Sequence, residues 1–340
     1  ISYARWGAQH VKLTASDRVA SHAPLHFDLS IFDFFSTVQA GATVVLVPEP
    51  VTKLAASWTE YIEKQQISVV FTVPFTLIQM LELGVMEERN LSSLRWVLFG
   101  GEPFPPKHLR ALMERLPNAR FTNVYGPAEA PSCTCYDLTP YPEPFDEPVP
   151  IGTVSANSTD LIIDNDGNAC AEGEEGELCI RSSTLTRGYW NRPDLNESVY
   201  LYRDSHGAFP DVYFRTGDWV VRHADGLLRF LGRKDRMVKT RGHRVELDEV
   251  EAALATHADV SEGAVFAIPD DQGSKSILAA AMLRGELKSG PGELLQHLRS
   301  KLPAYALPKE IFIVEEFPRT SSGKIDRTEI INQLVSDKPS

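Results

Sequence analysis

Between Ala40 and Gly126 short apolar runs alternate with stretches of helical spacing, without an internal sequence repeat. The runs are Val44-Val45-Leu46-Val47, Ile67-Ser68-Val69-Val70-Phe71-Thr72, Trp96-Val97-Leu98-Phe99 and Phe121-Thr122-Asn123-Val124. Helical spacing covers 55–65, resumes at Leu77-Ile78-Gln79-Met80-Leu81 and returns near 106–116. Short runs that are almost wholly apolar read as buried strands. Strands alternating with helices imply a parallel sheet covered by helices. Ligands bind such sheets at the C-terminal ends of strands, where Gly100-Gly101 and Tyr125-Gly126 both fall.

After about residue 150 the texture changes. Leu161-Ile162-Ile163, Glu177-Leu178-Cys179-Ile180 and Trp219-Val220-Val221 are short strands, set apart by turns such as Asp164-Asn165-Asp166-Gly167 and Asp225-Gly226. A β-rich subdomain is expected, in the form of a distorted barrel. From Asp235 onward a third texture begins. An amphipathic helix with an acidic start runs from Asp248 to His257, strands follow at 263–268 and 277–283, then a helix near 292–301 and a buried strand at Ile311-Phe312-Ile313-Val314. The expected fold class is α/β, with a helix-covered sheet and a β-rich subdomain as a large core over 1–235 and a small α+β domain over 236–340. A chain of 340 residues accords with two domains.

The net charge is −12, from 34 Lys and Arg against 46 Asp and Glu. That balance speaks against nucleic acid or an anionic membrane as the main partner, while allowing a local basic patch around an anionic ligand. No run of about 20 apolar residues and no signal peptide is present. Cys133-Thr134-Cys135 is too closely spaced for a zinc pair and no His/Cys cluster accompanies it, so the four cysteines read as reduced thiols in a cytoplasmic protein. Ile1-Ser2-Tyr3 is not a natural initiation site, and the expectation is part of a longer protein.

Near the end, Arg319-Thr320-Ser321-Ser322-Gly323-Lys324-Ile325-Asp326-Arg327 places a tight turn before a lysine. Taken alone, Lys324 is a solvated charge on a mobile tip. It does not stand alone. In order come Phe27-Asp28-Leu29-Ser30, Asn123-Val124-Tyr125-Gly126-Pro127-Ala128-Glu129, Gly176-Glu177-Leu178 with Arg187-Gly188-Tyr189, and Phe214-Arg215-Thr216-Gly217-Asp218. Gly232-Arg233-Lys234-Asp235, Arg241-Gly242-His243-Arg244-Val245-Glu246 and Leu302-Pro303-Ala304-Tyr305 precede the lysine turn. This series resembles the amino-acid adenylation domains of nonribosomal peptide synthesis, within the adenylate-forming superfamily that includes acyl-CoA synthetases and luciferases. The likeness runs through nearly the whole chain.

The resemblance implies activation of an amino acid as aminoacyl-AMP, with pyrophosphate released from ATP, then transfer to the phosphopantetheine thiol of a carrier protein. Such phosphoryl chemistry is mostly positioning and charge stabilisation. Glu129 matches the magnesium-binding glutamate, a hard oxygen ligand suited to Mg2+ beside phosphates. Asp218 matches the acid that accepts both ribose hydroxyls, and Arg233 an arginine near ribose and phosphate. Gly100, Gly101 and Glu102 with Asn123, Tyr125 and Gly126 resemble the adenine slot, where glycine lets backbone approach the base and Tyr125 could stack on it. Asp28 matches the acid that pairs with the substrate ammonium, with a helix N-cap as its alternative role. Lys324 matches the lysine that bridges the substrate carboxylate and the α-phosphate. Asp235 matches the hinge about which the small domain turns between the two steps, which makes that domain mobile.

By the same match, Asp28, Leu29, Phe32, Thr72, Leu98, Gly100, Val124, Ser132 and Cys133, with Lys324, line the amino-acid pocket. No second charge is among them, so an uncharged small or apolar substrate is expected, such as proline or alanine. Ala128 stands where the motif usually has Thr, which removes one hydroxyl contact to phosphate worth about 1.5–3 kcal/mol. Phe230 replaces a usual Tyr, and Ser182-Ser183 replace a glycine region. The family's phosphate loop would lie before residue 1, so this chain alone is expected to be weak or inactive. No carrier motif follows Ile331, so the carrier is expected in trans or cut away, and a small activator protein is a further candidate partner. An acyl- or aryl-CoA ligase and a non-catalytic scaffold are the competing readings. Asp28 argues against the first; Glu129, Asp218 and Lys324 argue against the second.

Overall fold

Two strands, Val69–Thr72 and Trp96–Gly100, are buried at every residue, as the centre of a parallel sheet requires. The computed structural model describes residues 1–25, 27–101, 103–138, 148–204, 207–233, 236–240, 243–269, 275–284, 289–321 and 323–335. Its first strands are β1 (Arg18–Ser21), β2 (Thr43–Leu46), β3 (Val69–Thr72), β4 (Trp96–Gly100), β5 (Arg120–Tyr125), β6 (Thr134–Asp137) and β7 (Thr153–Val154). They form one sheet in the order β2-β1-β3-β4-β5-β6-β7. The first five are mutually parallel, β6 runs antiparallel to β5, and β7 runs antiparallel to β6. The expected helix-covered parallel sheet is present, extended by an antiparallel edge.

Helices Ala55–Gln65, Pro74–Leu83 and Pro106–Arg115 cover one face. Two of them start on proline, whose fixed φ suits a first turn and whose missing N–H costs nothing there. The first ends at Gln66 in the left-handed region. Alternation along the strands assigns the two faces. Val70, Val97, Phe99 and Phe121 pack with Trp58, Ile62, Leu77 and Leu109, whereas Val69, Phe71, Trp96, Leu98 and Val124 pack with Tyr3, Trp6 and Phe32. Complete burial of one such apolar side chain is worth about 1.5–3 kcal/mol.

The second face is covered by helix Ser2–His10 and a helical run made of Leu29–Ile31, Phe32–Ser36 and Thr37–Gln39. The middle segment has π spacing, a feature common at functional sites. Gly7 allows the two to approach, since a Cβ there would lie 2.4 Å from Ser36 Oγ.

The β-rich part contains β8 (Ser158–Ile163), β9 (Glu175–Ser182), β10 (Tyr200–Arg203), β11 (Asp211–Arg222) and β12 (Leu228–Arg233). The order is β10-β11-β9-β8, with β12 also on β11. The expected barrel is therefore a branched sheet among the described strands. β11, at 12 residues, is long enough to give β10 only its first four residues and to pair with β12 elsewhere.

Contacts cluster into two compact units, 1–216 with 220–230, and 217–219 with 231–340. The second contains the hairpin β13 (Met237–Thr240) and β14 (His243–Glu246). Its three-stranded sheet is β15 (Val260–Pro269), β16 (Lys275–Leu283) and β17 (Glu310–Val314), antiparallel then parallel. Helix Leu247–Ala255 begins with Asp248 and Glu249, which favour a helix N-terminus. In helix Pro291–Arg299, Glu293 accepts from the Gly290 N–H at 3.0 Å, half of a capping box. Helix Arg327–Val335 packs Ile330 beside Phe266, Leu278 and Phe317. β17 buries only Ile311 fully, so the expected buried strand is an edge. Among the described residues, no helix is long and apolar enough to cross a membrane, and all four cysteines are free thiols.

Candidate functional site

In the first unit the candidates gather at the C-terminal ends of β4 and β5. Gly100 closes β4 against β5, where a Cβ would fall 2.2 Å from the Val124 carbonyl oxygen. Gly101 follows with φ +91. Glu102 lies outside the described residues. Asn123 is buried and donates from Nδ2 to the Pro150 carbonyl at 2.9 Å. Tyr125 ends β5 half-buried, against a cluster that includes Ala130, Cys133 and Ile151.

The loop after Tyr125 folds back on itself. At Gly126 a Cβ would lie 2.5 Å from both the Ala130 carbonyl oxygen and the Ser132 nitrogen, which explains the glycine. Ser132 holds φ +50 with a full side chain. It is gripped on both sides, by Tyr3 whose hydroxyl lies 3.0 Å from its Oγ and by Ser155 whose Oγ donates to its carbonyl at 2.8 Å. Burial pushes the Tyr3 phenol far up, with Asp28 and Asp33 adding to the shift and the Ser132 hydrogen bond opposing it. Ala128 is exposed and Glu129 half-buried. The Tyr189 hydroxyl donates to Glu129 Oε1.

Asp28 opens the helical run at 29–39, yet its side chain makes no capping hydrogen bond. The N-cap alternative thus loses its contact. Leu29, Phe32, Leu98 and Val124 share one apolar cluster, with Tyr3 inside it. Thr72 and Cys133 are not in that cluster. The Thr72 hydroxyl is 3.3 Å from His22 Nδ1, and His22 lies against Trp58 on the other face. Cys133 packs beside Ile151, Leu178 and Val220.

Five residues close to these escaped the sequence reading. Tyr3 sits on a helix that carries no motif. Asp33 is completely buried on the π-spaced turn, and burial raises its carboxyl well above the usual range, opposed by the Ala23 N–H. Burial likewise lowers His22 to about 4. Tyr189 was visible as part of a motif without a task, and Asn196, which grips its backbone, had no signal.

In the second unit Asp218 is buried, and Arg233 donates from Nη1 to its Oδ1 at 3.0 Å. Gly217, next to Asp218 in sequence, has φ +71, and a Cβ there would lie 3.0 Å from Arg233 Nη2. Lys324 is exposed beyond Gly323, whose φ is +81. The turn that carries it is a short hairpin. Thr320 N–H donates to the Lys324 carbonyl and Gly323 N–H to the Thr320 carbonyl, each at 2.9 Å. Arg319 donates to the Gly323 carbonyl at 3.1 Å and to Glu262 of β15 at 2.5 Å. Asp235, the expected hinge, lies outside the described residues, as do Lys234, Arg241, Gly242 and Ser322.

Each group has a chemical capacity. A half-buried carboxylate attracts an ammonium, a buried Asp–Arg pair can accept from hydroxyls and face a phosphate, and an exposed lysine offers mobile positive charge. Among the described residues, no group of three or more His, Cys, Asp or Glu could hold a metal by itself. One carboxylate completed by nucleotide phosphates and water is nonetheless the usual arrangement for magnesium. Glu129 fits that donor set.

Residues 1–190 match the AMP-binding enzyme family, and 249–324 match the AMP-binding enzyme C-terminal domain. An L-proline--[L-prolyl-carrier protein] ligase of Pseudomonas fluorescens is 35% identical over 335 residues, covering 98% of this chain and 64% of the relative. One of Streptomyces coelicolor is 36% identical over 329 residues, covering 96% and 60%. The chain thus spans somewhat under two thirds of the relatives it matches. Amide bond synthetase McbA from Marinactinospora thermotolerans superposes with a TM-score of 0.86 at 25% identity, over 98% of this chain and 65% of that one.

Proposed function

Because the chain belongs to the AMP-binding enzyme family, we propose that the protein activates an uncharged small or apolar amino acid, with proline favoured, and loads it onto a carrier protein. A carboxylate oxygen of the amino acid attacks the α-phosphorus of ATP, and pyrophosphate leaves. The phosphopantetheine thiol of the carrier then attacks the aminoacyl carbonyl; a thioester forms, AMP leaves and the thiol proton goes to solvent. Both curated relatives carry proline in their names, which supports that substrate.

In this reading Asp28 pairs with the substrate ammonium, and the cluster of Leu29, Phe32, Leu98 and Val124 receives an apolar side chain. Glu129 holds Mg2+, which screens the phosphate charge when bound. Asp218 accepts from the ribose hydroxyls, with Arg233 holding its other edge. Lys324 neutralises charge that develops at the α-phosphate. Residues 1–235 are the adenylation core, 236–340 the small domain and Asp235 the hinge used between the two steps.

Asp28 carries the proposal. It is a half-buried acid at the start of a helix it does not cap, next in sequence to Leu29 of the apolar cluster that includes Phe32, Leu98 and Val124, which suits it to an amino acid with a cationic head and an apolar side chain. Pyrophosphate exchange measured across all amino acids, with amine-free acids as controls, tests it. Exchange should depend on an amino acid, be strongest with proline or another small apolar one, and fall about 10²–10³-fold in Lys324→Ala. Equal exchange with amine-free acids would instead identify an acyl- or aryl-CoA ligase. An unimpaired Lys324→Ala would remove the lysine from the chemistry.

A further inference from the structure

Arg187-Gly188-Tyr189 is shaped around a backbone that needs glycine. Gly188 has φ +122, and a Cβ there would lie 3.0 Å from the side-chain amide of Asn196. Asn196, in helix Pro193–Val199, holds the next residue from both sides. Its Oδ1 accepts from the Tyr189 N–H at 2.8 Å, and its Nδ2 donates to the Tyr189 carbonyl at 3.2 Å. The Tyr189 hydroxyl, so aimed, donates to Glu129 Oε1. A second strap runs along the backbone. Thr186 N–H donates to the Glu129 carbonyl at 2.9 Å, and the Tyr200 hydroxyl donates to the Thr186 carbonyl at 2.9 Å. One short segment therefore fixes both the main chain and the carboxylate of Glu129. Glu129 Oε2 has no hydrogen-bond partner among the described residues.

We infer that Tyr189 is the positioning residue of Glu129, fixing Oε1 so that Oε2 is presented to a divalent cation shared with nucleotide phosphates. This rests on the reading of Glu129 as the magnesium ligand. A glutamate left to itself samples many rotamers, and a cation must then bear the entropy of ordering it. Outer partners of metal-ligating side chains typically change metal affinity about 10–100-fold. A tyrosine with a purely structural task would change stability and leave metal dependence untouched.

Binding of Mn2+ with ATP, followed through the electron paramagnetic resonance of free Mn2+, reads the metal without turnover. Tyr189→Phe is expected to raise the half-saturating Mn2+ concentration about 10-fold or more, with the thermal midpoint little changed. Asn196→Ala should shift it in the same direction, and Glu129→Gln further still. An unshifted Tyr189→Phe beside a shifted Glu129→Gln overturns the inference and leaves adenylation standing. An unshifted Glu129→Gln overturns the metal assignment and the inference together. If Tyr189→Phe does not fold, Asn196→Ala decides, a shift supporting the inference and an unshifted curve overturning it.

Discussion

Arg233 Nη1 donates to Asp218 Oδ1 at 3.0 Å, joining two residues 15 apart through the pairing of β12 with β11. Asp218 is buried and Arg233 largely exposed. The arginine thus holds one carboxylate edge of a buried acid and is itself 44% exposed. Arg233→Ala removes this contact, and a hydrogen bond to a charged group is worth about 1.5–3 kcal/mol. The ATP KM in pyrophosphate exchange should rise about tenfold or more, and Arg233→Lys should recover only part, because an ammonium lacks the planar fork. An unchanged ATP KM would detach this pair from the nucleotide.

Arg319 braces the lysine hairpin between Gly323 and Glu262. Arg319→Ala should loosen the turn without touching substrate. The adenylation rate is expected to drop about tenfold, as positioning losses do, while ATP and amino-acid KM stay near parent values. A parent-like rate in a folded Arg319→Ala would mean that the hairpin needs no brace.

Gly126 faces backbone, which cannot move aside as a flexible side chain can. Gly126→Ala should lose about 1–3 kcal/mol by overpacking. Gly292→Ala is the control, because nothing lies within 4 Å of a Cβ there. Denaturant titration should separate the two variants, and equal midpoints would show that the loop yields easily.

Asp17 is buried against Arg95, which donates from Nε at 2.7 Å and from Nη2 at 2.9 Å. Burial pushes its carboxyl up, but Arg95, the Thr14 N–H and the Ser68 hydroxyl together hold it down to about 2. A folded value below the unfolded one of about 3.9 means the stabilisation is complete above that unfolded value and disappears as pH falls to about 2. Asp17→Asn should cost about 1.5–3 kcal/mol at neutral pH, since it removes the carboxylate charge from the hydrogen bonds with Arg95, which keeps its bonds to the Val11 and Lys12 carbonyls. The gap from the parent should narrow between about pH 4 and 2. A gap constant through that window would assign the cost to packing alone.

The sequence was most legible where packing demands continuity. Helix Ala55–Gln65 and strands β3 and β4 appear where apolar runs and helical spacing placed them, because both sheet faces are buried and every residue there is constrained. It was least legible over 29–39. Phe27-Asp28-Leu29-Ser30-Ile31-Phe32-Asp33 mixes apolar and polar residues with no clear period, and the π turn at Phe32–Ser36 breaks the helical one. Burial of Asp33 could not be read from a one-dimensional pattern, since it depends on the covering helix Ser2–His10.

By itself the sequence determined the order of motifs, the strand–helix alternation and the identities of Asp28, Glu129, Asp218 and Lys324 as chemically capable residues. The alternation follows from local apolar patterning, and those four residues from the resemblance that the order of motifs carries. Tertiary structure decided which neighbours they have. Alternation sends Leu98 and Val124 to the face of Phe32 and Tyr3, strand pairing brings Arg233 to Asp218, and Tyr189 reaches Glu129 across 60 residues of chain. Such contacts depend on strand register and backbone φ at a few glycines, quantities that side-chain chemistry along a chain does not encode one residue at a time.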